Sequence, residues 1–152
     1  MPEKTTLTVM STASARLFKS QHTGLWKDME VHHPDVPFYF YHENSFEKNT
    51  SGDSIDFGEV PSNYKVIDLF ESNPWLHDFL KNSEFKNCHK IGLQNKDNPR
   101  ADDAYFRRNA IYWFRKIVAL YDCAKRCDTD LLVFLGFDSF LTPESCAIDE
   151  EY

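Results

Sequence analysis

The stretch from Tyr105 to Pro143 restricts the fold more than any other part of the chain. It reads as one long helix, YFRRNAIYWFRKIVALYDCAKRC, feeding an apolar strand, DLLVFLGFDSF. Apolar residues recur at Phe106, Ala110, Trp113, Phe114, Ile117, Val118, Tyr121 and Ala124, a spacing that predicts one buried stripe. Arg108, Tyr112, Arg115, Asp122 and Arg126 fall on the other side. Asp102 or Asp103 suits the helix start, and the basic residues near its end complement the dipole. The strand from Asp128 to Leu135 is apolar enough to be expected buried on both faces. It leads to a lone acid, Asp138. An acid at the carboxyl end of a buried strand stands where open α/β sheets bind ligands.

Upstream, the pattern alternates strand and helix. Thr5 to Thr12 is β-branched and apolar and reads as a first strand. A turn follows, then a helix with Leu17, Phe18, Leu25, Trp26 and Met29 on its apolar side, bent or broken at Gly24 and ending before Pro34. Val36 to His42 is a second strand, apolar enough to be central, and Tyr64 to Leu69 a third. Between them Glu43 to Asn63 is rich in Ser, Asn, Gly and Asp and reads as a loop, with or without a short strand. Asn73-Pro74 opens another helix, with Trp75, Leu76, Phe79 and Leu80 on its apolar face. Lys86 to Arg100 reads as loop, and residues 144–152 as a frayed acidic tail. The expectation is one α/β domain over 1–152, with its core about 5–143. It would hold a Rossmann-like, mostly parallel sheet with helices on both faces.

Composition narrows the partners. The net charge of −7 disfavours generic nucleic-acid binding and attachment to anionic membranes. No apolar run reaches the length of a membrane span, and MPEKTTLTVM lacks a signal-peptide core. A cytoplasmic location is therefore expected, with Cys88, Cys123, Cys127 and Cys146 as reduced thiols. Cys123 and Cys127 stand four apart on the helix, but no His or second Cys pair lies near them in sequence. Nucleotide-fold signatures such as G-x-G-x-x-G, the Walker loop and G-x-S-x-G do not occur.

The order of features resembles the nucleotide-binding half of GT-A type glycosyltransferases of the polysaccharide type. LTVMSTASARLF resembles their first strand and nucleotide-contacting turn, and HHPDVPFYFYHEN their second strand. VIDLFESNPWLHDFL resembles the segment before their central helix. FRRNAIYWFRKIVALYDCAKRCDTDLLVFLGFDSFLTP resembles that helix and the strand carrying their metal-binding acid pair. The likeness covers about residues 5 to 143. Two features depart from it. The acid pair falls on Gly136 and Asp138, so LGFD replaces L-D-x-D. Family members also continue into a second half with the acceptor site and catalytic base, whereas this sequence stops soon after Pro143. The resemblance thus implies a truncated GT-A fold that binds a UDP- or GDP-sugar and, if active, transfers a hexose to a glycan acceptor.

Such a transfer needs the leaving diphosphate neutralised by Mg²⁺ or Mn²⁺, or by basic side chains. The resemblance places Asp138 at the metal, Arg107 and Lys116 within reach of the phosphates, and Ser11, Thr12, Ala13 and Ser14 at the base and ribose. His42 and Glu43 end the second strand and border the same crevice. The plainer roles are a solvated helix face for Arg107 and Lys116, and N-capping for the Ser11–Ser14 bend. Asp128-Thr129-Asp130 is literally D-x-D but sits at the strand's entry, where it closes the helix. His32 and His33 read as surface residues, and Trp113 and Phe114 as core. The competing expectation is a catalytically decayed relative, a non-catalytic module that forms a homodimer over its exposed sheet edge.

Overall fold

The structure is a computed structural model and describes residues 5–21, 24–81 and 103–143, the side chains of 103–112 excepted. In chain order the elements are β1 (Leu7–Thr12), α1 (Ala15–Gln21), α2 (Leu25–His32), β2 (Phe38–His42), α3 (Asn44–Thr50) and β3 (Tyr64–Asp68). Then come α4 (Leu69–Ser72), α5 (Trp75–Lys81), α6 (Asp103–Arg126) and β4 (Leu131–Phe134). The strands form one sheet in the order β3-β2-β1-β4. Every pairing is parallel, with Val9 beside both Phe38 and Val133, and Phe38 beside Tyr64. The expected α/β architecture, a parallel sheet flanked by helices on both faces, is the observed one.

Strand alternation divides the apolar residues between two cores. On one face Val9, Phe38, Phe40 and Tyr64 meet Ala15 of α1 and Leu25, Trp26 and Met29 of α2. Trp26 is the hub, with its ring centroid 4.7 Å from Tyr64 and 5.3 Å from Phe40. The Tyr64 hydroxyl donates to the Trp26 carbonyl. On the other face Met10 and Tyr41 meet Leu69 and Phe70 of α4, Leu76 of α5, and Val118, Ala119 and Cys123 of α6. At the amino end of the sheet Asp130 accepts from the Thr6 amide and hydroxyl, at 2.8 and 2.9 Å. The D-x-D sequence there is a strand-entry clasp, as expected.

Several expectations need correction. Asn44–Thr50 is a helix, not loop. It forms because Asp68 and Asn44 supply tertiary hydrogen bonds to Ser45 and to the Ile55 amide, which local composition does not register. β4 is not buried on both faces, since Leu131, Val133 and Phe134 are exposed on this edge strand. The apolar stripe of α6 faces the sheet only in part: Phe114 and Val118 pack on the core as expected, whereas Trp113, also expected there, is 66% exposed, Ile117 62% and Tyr121 64%. Ala119, Cys123 and Arg115 complete the buried side. Ala119 and Cys123 are small and let the helix backbone lie close to the sheet, so bulk is carried outward. His33 is buried rather than on the surface, with Nε2 2.8 Å from the Thr142 carbonyl oxygen. Lys86 to Arg100, Cys88, Cys146 and the acidic tail lie outside the described residues.

Candidate ligand site at the carboxyl end of the sheet

The strand order places a reversal beside β1. From β1 the chain moves outward through β2 to β3, then returns to put β4 on the opposite side of β1. The segments leaving β1 and β4 both turn onto the α1–α2 face, where Ala13, Ala15 and Phe137 share one core, and open α/β sheets bind ligands in the crevice outside the carboxyl ends of strands at such a reversal.

Two bends border this crevice. After β1, the Ala13 amide donates to the Tyr41 carbonyl (3.2 Å) and carries the chain past the end of β2. Ser14 Oγ then accepts from the Leu17 amide at 3.3 Å, an N-cap of α1. After β4, the Leu135 amide donates to the Met10 carbonyl (3.0 Å), extending the pairing one residue. A turn closed by Ser139 N–H to Gly136 O (2.9 Å) follows. Within it Phe137 is buried and stacks on Phe18, centroids 5.4 Å apart, while the adjacent Asp138 is exposed. The buried ring anchors the turn and presents the carboxylate to solvent.

The Ser11–Ser14 bend and Asp138 thus share the ends of neighbouring strands, but their side chains differ in availability. Ser11 is fully buried and its Oγ donates to the Leu135 carbonyl at 2.7 Å, tying the two bends together. Ala13 is buried, and Thr12 and Ser14 are half-buried. A Cβ added at Gly136 would meet Asp138 Oδ1 at 2.8 Å, so an acid there would displace the Asp138 carboxylate. Among the described residues no group of three His, Cys, Asp or Glu side chains could hold a metal ion. Asp138 supplies a single carboxylate, and Mg²⁺ commonly takes one or two beside phosphate oxygens.

The neighbouring part of the rim, above β2 and β3, is closed by polar contacts. Glu43 Oε2 accepts from Arg115 Nη1 at 2.8 Å, with both side chains largely buried. The Arg115 guanidinium lies 4.7 Å from the Phe46 ring centroid and 5.5 Å from that of Phe70. Glu47 of α3 accepts from the Ala15 amide, at 2.9 and 3.2 Å. Its carboxylate therefore sits on the first turn of α1. Asp68 accepts from the Ser45 amide and hydroxyl and from the Phe70 and Glu71 amides. His42 Nδ1 accepts from the Asn44 amide at 3.2 Å and lies 3.6 Å from Asp68.

Electrostatics follow from this packing. Burial raises the Glu43 carboxyl above the ordinary range, against the pull of Arg115. Burial also raises Glu47, against its bond from Ala15. Burial lowers His42 and keeps the imidazole neutral. For Asp68 burial acts upward, but the Ser45 and Glu71 bonds and His42 outweigh it, and its pKa is lowered.

Of the residues singled out from the sequence, Ser11, Thr12, Ala13, Ser14 and Asp138 converge at the strand reversal. His42 and Glu43 lie at the adjacent strand end, engaged in the internal network. Lys116 is on the outward side of α6, its Nζ 5.0 Å from the Trp113 ring centroid. Arg107 belongs to α6, but its side chain lies outside the described residues. Sequence reasoning missed Arg115, the buried cation of this rim. The available signal was Arg115, Ala119 and Asp122, which share one side of α6 at spacings of four and seven. Cys123 and Cys127 are free thiols, and burial pushes Cys123 up to about 12, so it packs as a neutral apolar group. A separate cleft of about 650 Å³ between α2 and residues 53–62 contains none of the expected site residues. Among the described residues no helix is long and apolar enough to cross a membrane. Comparison with protein-family models, curated proteins and solved structures produced no match.

Proposed function

We propose that this domain binds a nucleotide-diphospho-sugar across the strand reversal, as a glycosyltransferase-related nucleotide-binding half. The observation that carries the reading is the adjacency of the Ser11–Ser14 bend and Asp138 at the carboxyl ends of β1 and β4. Thr12 and Ser14 are the side chains available to a nucleoside there, with Asp138 on the opposite lip. Ser11 serves the site indirectly by joining the two bends. A divalent cation, where one takes part, would be held by Asp138 together with the diphosphate oxygens and would neutralise the leaving group.

A second reading, a non-catalytic relative, is favoured by a specific feature. Glu43 and Glu47 are both engaged within the protein, and the described rim offers no carboxylate beside Asp138 to serve as a base. Hexose transfer to a glycan would need groups beyond those described. The two readings share one binding site and differ in turnover.

Titration calorimetry with UDP-, GDP- and TDP-sugars, with and without Mn²⁺, tests the proposal. Binding of at least one donor is expected, weakened about tenfold or more by Asp138→Asn or Ser14→Ala, the loss of one polar contact. Absence of heat with every donor overturns it. Release of free sugar or transfer to an added glycan would favour the enzyme over the silent relative.

A further inference from the structure

The outward side of α6 carries a second apolar pattern that the fold does not use. Phe106, Ala110, Trp113, Ile117, Leu120 and Ala124 are spaced alternately four and three apart. This is the seam of a helix built to pair with another helix. No charged residue interrupts it. Over the described side chains the seam lies opposite the sheet: Trp113, Ile117 and Leu120 are exposed, as is the flanking Tyr121. Lysines frame it rather than enter it. The Lys125 ammonium lies 4.2 Å from the Tyr121 ring centroid, and that of Lys116 rests over Trp113. A solvated helix face has no reason to hold three heptad-spaced bulky residues and a further aromatic ring, Tyr121, beside them.

We infer that α6 pairs with α6 of a second copy, antiparallel about a two-fold axis. Four features favour this occupant. The seam is self-complementary: with the axis between Ile117 and Leu120, each Ile117 faces Leu120 of the other copy, and Trp113 faces the small Ala124. The charges match in this orientation only. Arg107 and Arg108, toward the start of one helix, come beside the acidic Asp128–Asp130 turn that follows the other. A parallel pair would stack like charges and align the helix dipoles. Finally, the area is of the right order. Trp113, Ile117, Leu120 and Tyr121 expose roughly 500 Å² together, taking aromatic side chains at ~150–250 Å² each. Ala124 and the lysine stems extend this toward the ~800 Å² a side of a stable interface. The inference does not depend on the nucleotide-sugar reading. It also differs from pairing through β4, whose exposed side chains point to both faces of the sheet edge.

Sedimentation equilibrium on the full chain, across a concentration series into the high micromolar range, tests it. The expected mass is twice the 17.8 kDa of one chain. Ile117→Glu with Leu120→Glu should give monomers with an unchanged circular dichroism spectrum and melting temperature. Ile117→Ser alone, a milder change, should raise the dimer dissociation constant at least tenfold. Val133→Lys, on the β4 edge, should leave the dimer intact. A wild-type monomer at every concentration overturns the inference. So does a dimer that survives the seam substitutions, or one that dissociates with Val133→Lys.

Discussion

The two sides of the sheet's carboxyl rim are built from similar residue types and do opposite things. Above β2 and β3, three acids are held: Glu43 by Arg115, Glu47 by the Ala15 amide, Asp68 by Ser45 and the start of α4. Above β1 and β4, Asp138 stands exposed on a turn that Phe137 anchors. The first side fastens α1, α3, α4 and α6 to the sheet. The second leaves a carboxylate facing solvent beside the half-buried Thr12 and Ser14. Position at the end of a strand is therefore not enough to identify a ligand-contacting residue. What separates the two sides is whether a neighbouring helix delivers a counter-group.

Removing a counter-group should expose the contrast most sharply. Arg115→Met leaves Glu43 buried without its partner, and urea denaturation should show a loss of about 3–5 kcal/mol. Adding Glu43→Gln to that variant should recover most of the loss, since no buried charge is then left unpaired. A double variant no more stable than the single would show that the pair is not the fastening.

Next in size is Asp68→Ala, which removes the α4 cap and the tie to Ser45. It should cost about 1–2 kcal/mol at neutral pH. The pH dependence follows from the lowered pKa. Asp68 binds its proton less tightly folded than unfolded. Its contribution is therefore complete above the ordinary aspartate range and is lost as pH falls through the lower folded value. The stability gap between wild type and Asp68→Asn should shrink as pH drops through that window. A constant gap would contradict the assignment.

Glu47→Gln should be milder, within about 1 kcal/mol, because an amide oxygen can still accept from Ala15. The sign reverses here. Glu47 is raised by burial, so its contribution is present below the ordinary glutamate range and lost as pH rises through the higher folded value. The substitution should flatten that part of the melting-temperature profile. Smallest of all is Asp138→Asn, exposed and outside the network, with an expected stability change within ~0.5 kcal/mol. Under the proposed function its effect is expected in nucleotide-sugar binding instead. A large stability loss would place Asp138 with the fastened acids instead.

The internal place of β2 was legible in the sequence, because its unbroken apolar run is suited to burial on both faces. So was the parallel sheet, and the placement of Asp138 at the exit of the last strand, since a helix before a strand leaves few alternatives. The face of α6 was not fully legible. Trp113, Ile117 and Tyr121 offer more apolar surface to bury than Ala119 or Arg115, yet the sheet accepts the small residues for close approach and the arginine for Glu43. Nor was α3, whose tertiary bonds from Asp68 and Asn44 act on a locally polar segment. Sequence alone determined which segments become strands and where the lone acid falls. The tertiary structure decided which charged groups pair, which face of the long helix is inside, and which hydroxyl ties the two bends. Those outcomes depend on contacts between residues far apart in the chain, such as Ser11 with Leu135 and Glu43 with Arg115, and no local pattern encodes such a distance.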